Sequence, residues 1–262
     1  MSNVDFFLYL FSLLFGLCIG SFLNAVIYRL PRKIPFGASR SHCTNCNKLI
    51  YWYENLPVIS YIFLRGKCSG CKTRISIMYP LIELTVGLFA LFLTPKTLSA
   101  ESLWNFFFFL SVFSCFLAII CIDLRFHIIP NVINIYLAIL FLCAVVLKTS
   151  VMHWLGGMLL GALFPGAVAA LFYYLKGVDG LGGGDIKLYG VLGIYLGPSG
   201  IMYNLTFSCF LGAFVGGILI LLKVMDRRTR IPFGPFIVVV AFAQVFFPSQ
   251  FDSFTQSLFS IH

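Results

Sequence analysis

The chain has nine acidic residues among 262, so where each one stands is informative. Asp5, Glu101 and Asp252 fall at the outer ends of apolar runs, and Glu54 and Asp226 in basic loops; Glu83, Asp123, Asp179 and Asp185 remain. Asp123 closes an apolar run in Cys121-Ile122-Asp123-Leu124-Arg125, and Asp185 opens another after Gly182-Gly183-Gly184. Carboxylates at the edge of hydrocarbon are costly and are functional suspects by default. Two that face each other in a partly dry site cannot easily both ionise, so they share a proton and divide into an acid and a base. Water-mediated amide hydrolysis needs that division: one carboxylate takes a proton from water while the other protonates or hydrogen-bonds the scissile carbonyl. Gly182 and Gly184 carry no Cβ, which suits a loop that an extended peptide must approach. The same pair also suits interfacial anchoring, pairing with Arg125 or Lys187, or a proton relay in a transporter.

A second constellation is Cys43-Thr44-Asn45-Cys46 followed, after a gap of 21 residues, by Cys68-Ser69-Gly70-Cys71. Each C-x2-C turn brings two thiolates to one metal, and four sulfur ligands favour structural zinc. Two disulfides, or chance, are the competing readings. A segment of about 50 residues has little core of its own, so a metal staple has a physical purpose there. Cys18, Cys115, Cys121, Cys143 and Cys209 lie in apolar runs and read as packing residues, and the four histidines make no ligand set.

The elements that must position these groups are membrane helices. Hydrophobic residues make up 60% of the chain, charged residues 10%, and the mean hydropathy is +0.97, which excludes a soluble core, a disordered chain and a secreted disulfide scaffold. Apolar segments fall at about 5–28, 80–95, 103–122, 128–147, 151–175, 186–200, 201–222 and 232–250, and the run from Phe6 to Ile27 is longer than a signal-peptide core. With alternating sides and the N-terminus outside, 16 of the 18 Lys and Arg fall in cytoplasmic loops, and only Lys96 and Lys148 outside. The net charge of +9 therefore reports orientation and anionic lipid rather than nucleic acid. The expected fold is an all-α polytopic membrane protein with about eight transmembrane helices, N-out and C-out, and a small zinc-ribbon-like cytoplasmic insertion. Its parts are a first helix over 1–29, a tetracysteine domain over 30–79, and a helical bundle over 80–262 that carries the aspartates. The segment 186–200, with Gly190, Gly193, Gly197 and Pro198, reads as a broken or tilted helix. Gly157-x3-Gly161 and Gly212-x3-Gly216 have the spacing of close helix crossings. Phe106 to Phe109 read as a lipid-facing aromatic cluster.

Several segments together resemble the type IV prepilin peptidase family, aspartic leader peptidases that also act as N-methyltransferases. They are Gly20-Ser21-Phe22-Leu23-Asn24 through Pro31, the four cysteines, Glu54-Asn55-Leu56-Pro57, Tyr79-Pro80-Leu81-Ile82-Glu83, the two aspartates within Gly182-x-Gly184-Asp185, and Pro232-Phe233-Gly234-Pro235. The resemblance implies an enzyme of the bacterial inner membrane whose catalytic pair is Asp123 and Asp185, on the cytoplasmic side. It implies cleavage of the basic leader of prepilins or pseudopilins, then methylation of the new N-terminus from S-adenosylmethionine. Glu83, Gly20 and Asn24 border the insertion and are the candidates for binding that methyl donor. Two rivals would use the same residues differently: a transporter with Asp123 and Asp185 as relay, and a membrane-tethered zinc-ribbon binding module.

Overall fold

The computed structural model describes residues 3–36, 41–178, 180–225 and 231–259. Arg40, Asp179, Asp226, Arg227, Arg228 and Arg230, which entered the charge and acid readings, lie outside the described residues, as does His262. Among the described residues there is no strand. The helices are α1 (Asn3–Arg29), α2 (Ile59–Phe63), α3 (Met78–Phe92), α4 (Ala100–Phe126), α5 (Asn131–Val145), α6 (Val151–Lys176), α7 (Gly183–Leu221), α8 (Gly234–Phe246) and α9 (Pro248–Phe259), with a 3-10 turn at Trp52–Asn55. Four of them, α1, α4, α6 and α7, are long and apolar enough to cross a membrane, and α8 with α9 makes a fifth if that bent pair is one span. The chain divides into two compact units at Ala118 and Ile119, within α4.

In the first unit α1 and α3 pack backbone to backbone. A Cβ on Gly16 would stand 2.5 Å from that of Ala90, one on Gly20 2.6 Å from the Glu83 Cα, and one on Gly87 2.8 Å from the Leu17 side chain. Without a hydrophobic drive between helices in lipid, such small-residue faces let dispersion hold them. Aromatic rings fill what remains: Phe89 stacks on Phe113 at 3.8 Å, and Phe15 meets Phe106 and Phe107. This corrects the lipid-facing reading of the Phe106–Phe109 run, since Phe106 and Phe108 are buried and only Phe107 is well exposed. A helix turns through about 100° per residue, so four consecutive rings cannot share one face.

In the second unit α7 is a helical hairpin. Gly197 has φ 72° and ψ −179°, a conformation open to glycine, and Pro198 follows it. Tyr189 and Ser208 stand 19 positions apart, about 28 Å along a straight helix, yet their hydroxyls hydrogen-bond at 2.6 Å. The arms 183–196 and 198–221 therefore run back along each other. The segments expected at 186–200 and 201–222 correspond to these arms, with the break at Gly197 instead of Gly200. Gly157 and Gly161 of α6 sit against the backbones of Gly193 and Tyr189, and α6 also touches the second arm at Ile201. Gly212 and Gly216, by contrast, meet the side chains of Phe233 and Ile231. Asn204 donates to Gln244 Oε1 (2.8 Å) and Gln244 to the Gly200 carbonyl (2.7 Å), tying α8 to the second arm. The last apolar segment ends at Phe246, where Pro248 begins α9 at 108° to α8.

Candidate active site

Within the second unit four helix termini converge. Asp123 lies in the last turn of α4 and is 4% exposed. Its Oδ2 accepts the backbone N–H of Gly234 (3.0 Å), the first residue of α8. Pro235 pre-sets that helix start, and Gly234 is tight: a Cβ there would stand 2.7 Å from Asp123 Oδ2 and 3.3 Å from Ile129 Cδ1. Ile129 also abuts Gly184, whose added Cβ would come within 3.2 Å of the isoleucine Cβ. Asp185, one residue on, is half-buried. It is the third residue of α7, where its carboxylate takes the N–H of Gly182, one half of a capping box. The two aspartates are close enough for their charges to interact.

The alternative pairing with Arg125 or Lys187 is not seen: among the described residues neither aspartate makes an ion pair. Lys187 instead donates to Asn131 Oδ1 (3.0 Å), holding the start of α7 to the start of α5. The glycines divide their work. Gly184 is closed by Ile129 and Gly182 by the Asp185 carboxylate, while Gly183 has nothing within 4 Å of its would-be Cβ and is the open one. Ile129 and Asn131 were not singled out from sequence, and Gly234 entered only as part of the Pro232-Phe233-Gly234-Pro235 segment, with no role assigned to it.

In the first unit the four cysteine sulfurs lie within 4.8 Å of one another. Two equivalent knuckles place them. Cys43 N–H bonds the Lys48 carbonyl and Cys68 N–H that of Thr73, each at 2.9 Å, and Asn47 and Lys72 take positive φ at matching positions. The Cys43–Cys71 and Cys46–Cys68 separations are 3.8 and 4.0 Å. A tetrahedron with Zn–S near 2.3 Å has edges of about 3.8 Å, so the donor set fits zinc, and all nine cysteines are free of disulfides. The Cys71 thiol is held down at about 5, first by the Asn45 amide and then by the Thr73 hydroxyl. Although the Lys48 backbone N–H pulls the Cys46 thiol down, desolvation and the neighbouring sulfurs push it up to about 11. A metal would thus meet a ready thiolate at Cys71 and displace a proton from Cys46.

Glu83, Gly20 and Asn24 come together as expected, but as a joint. Glu83 is 9% exposed and accepts the Val58 N–H (2.7 Å), with Ser21 and Asn24 as further side-chain partners. Asn24 donates to the Tyr79 carbonyl (3.0 Å), and Gly20 is filled by the α3 backbone. Val58 has φ 61° and ψ −47°, the strained centre of a γ-turn from Pro57 to Ile59. These contacts fasten that turn to α1 and α3.

Two family models match the chain: the bacterial peptidase A24 N-terminal domain over residues 14–97 and the type IV leader peptidase family over 108–217. Curated relatives named prepilin leader peptidase/N-methyltransferase include one from Stutzerimonas stutzeri, 32% identical over 91% of this chain and 90% of the relative. Another, from Bacillus subtilis (strain 168), is 36% identical over 85% and 87%. A third, from Xanthomonas campestris pv. campestris, is 34% identical over 88% of each. No solved structure matches the chain.

Proposed function

Given that the chain belongs to the type IV leader peptidase family, as a multi-pass inner-membrane enzyme that cleaves and methylates type IV prepilins, we propose that Asp123 and Asp185 are its hydrolytic pair. The carrying observation is that Ile129 abuts both Gly234, which binds the Asp123 carboxylate, and Gly184, the residue before Asp185, with the two carboxylates close enough for their charges to interact. Gly234 fixes the Asp123 carboxylate from one side and the helix cap fixes that of Asp185. Between them they hold one proton: the ionised member takes a proton from water, and the protonated one delivers its own to the scissile carbonyl. Collapse of the tetrahedral intermediate then releases the leader carboxylate and the pilin amine.

The eight apolar segments correspond to eight membrane crossings, N-out and C-out, with α7 contributing two and α8 the last. The pair and the basic insertion then share the cytoplasmic face, where prepilin leaders, or those of pseudopilins, arrive. The insertion is a zinc-ribbon-like staple, and membrane lipid is the remaining partner. S-adenosylmethionine supplies the methyl group for the second activity, with Glu83, Gly20 and Asn24 beside the insertion as its candidate site. Neither the proton relay nor the tethered binding module is favoured by the family match. Asp123→Asn and Asp185→Asn should each abolish leader removal while methylation of pre-cleaved pilin persists, both read by mass on one preparation; leader loss in either variant refutes the pair.

A further inference from the structure

The unit that carries the aspartates also holds a buried amide with nothing to bond. Asn134 of α5 is 4% exposed, and neither its carbonyl oxygen nor its amide nitrogen has a hydrogen-bond partner among the described residues. An unmade bond of this kind costs about 1–3 kcal/mol, and a buried unsatisfied group in a native protein calls for a use. Its place suggests one. α5 and the first arm of α7 lie side by side, joined by Asn131 and Lys187 at one end and by the Phe141 and Tyr195 rings, 5.0 Å apart, further along. Asn134 shares a buried stripe with Leu137, Phe141 and Val145. It therefore lies on the side of α5 that meets that arm, three residues or about 4.5 Å along the axis inside Asn131.

We propose that Asn134 binds the backbone of the substrate, pairing its amide with the first peptide group C-terminal to the scissile bond. The inference rests on Asp123 and Asp185 being the hydrolytic pair. A peptide bond is open to water attack only in an extended chain, and the mature part of a prepilin begins as an apolar helix. Extending its first turn frees an N–H and a C=O at hydrocarbon depth, where an unsatisfied backbone group costs several kcal/mol. An asparagine side chain offers a donor and an acceptor in one plane, the complement of a peptide group, and both atoms of Asn134 are unengaged. The stripe is otherwise apolar, so no other side chain on it offers the same pairing.

The test is Asn134→Leu, close in volume and unable to pair, assayed beside Asp185→Asn for leader cleavage, methylation of pre-cleaved pilin and thermal midpoint. A merely structural unpaired amide would be replaced without loss, and the variant would cleave normally at an equal or higher midpoint. Substrate pairing predicts a fall in cleavage kcat/KM of about 10²-fold, the scale of a lost transition-state donor, with methylation and midpoint retained. Asn134→Thr, which keeps one donor and one acceptor, should recover part of the loss. Normal cleavage by Asn134→Leu, or a loss that tracks a lowered midpoint with no recovery in Asn134→Thr, overturns the proposal. Cleavage by Asp185→Asn would instead overturn the reading beneath it.

Discussion

Gly234→Ala asks most directly whether the Asp123 carboxylate must be held where it is. The added methyl would stand 2.7 Å from Oδ2 and 3.2 Å from Cγ, below any ordinary carbon contact. At 4% exposure Asp123 has little room to swing away, and Ile129 Cδ1, 3.3 Å from the added methyl, blocks the methyl on another side. The strain moves the carboxylate off the N–H it now accepts at 3.0 Å. A hydrogen bond to a charged group contributes about 1.5–3 kcal/mol and overpacking costs about 1–3 kcal/mol. If about 2–4 kcal/mol of that falls on the transition state, cleavage slows between about 30-fold and about 10³-fold. Helix propensity works the other way, since alanine is the better helix former, so the thermal midpoint should fall much less than the rate. The assay is leader removal from a prepilin by purified enzyme, with Gly217→Ala as companion because nothing lies within 4 Å of its would-be Cβ. Gly234→Ala within twofold of the parent, or an equal loss in Gly217→Ala, would refute the reasoning.

Cys46→Ser should lower bound zinc from about one per chain, measured by elemental analysis, and loosen the insertion to proteolysis while both aspartates stay in place. The Glu54 carboxyl is held below the usual carboxylate range, first by the Ser69 hydroxyl, then by the Tyr51 N–H and Lys48. Its contribution to stability is full above the ordinary carboxylate value and is lost as pH falls through the lowered one; acid melts should show this in the parent and not in Glu54→Gln. Gly193→Ala drives a methyl into the Gly157 backbone, so the thermal midpoint should fall by roughly 5–10 °C; an unchanged midpoint would mean that α6 and α7 are not in close contact.

Apolar run length made the helices legible, and knuckle spacing made the four cysteines legible, because both are local properties of the chain. The aspartates were legible as costly charges at two run ends, but not what holds them. Gly234 lies 111 positions from the carboxylate it binds, and no local pattern encodes that distance. Asn134 was hidden for the opposite reason: one polar residue in an apolar run looks incidental until its neighbours leave it unbonded. Glu83, Gly20 and Asn24 were legible as neighbours of the insertion, but only the fold shows Glu83 bonded to Asn24 and to the Val58 turn. The Phe106–Phe109 run misled because composition says nothing about which way each ring faces.

The unequal arms of α7 bear on the lipid around the enzyme. The arm from 183 to 196 is about 21 Å long at 1.5 Å per residue, against roughly 30 Å of hydrocarbon. With its turn at one interface, the arm leaves Asp185, 12 residues from the Gly197 break, about 12 Å short of the other, so the bilayer must thin or admit water for the leader junction to reach it. Such a mismatch costs fractions of a kcal/mol per ångström. Acyl-chain length then becomes a control on turnover: the enzyme should run fastest in short-chain lipids and slow as the chains lengthen, with its fold unchanged.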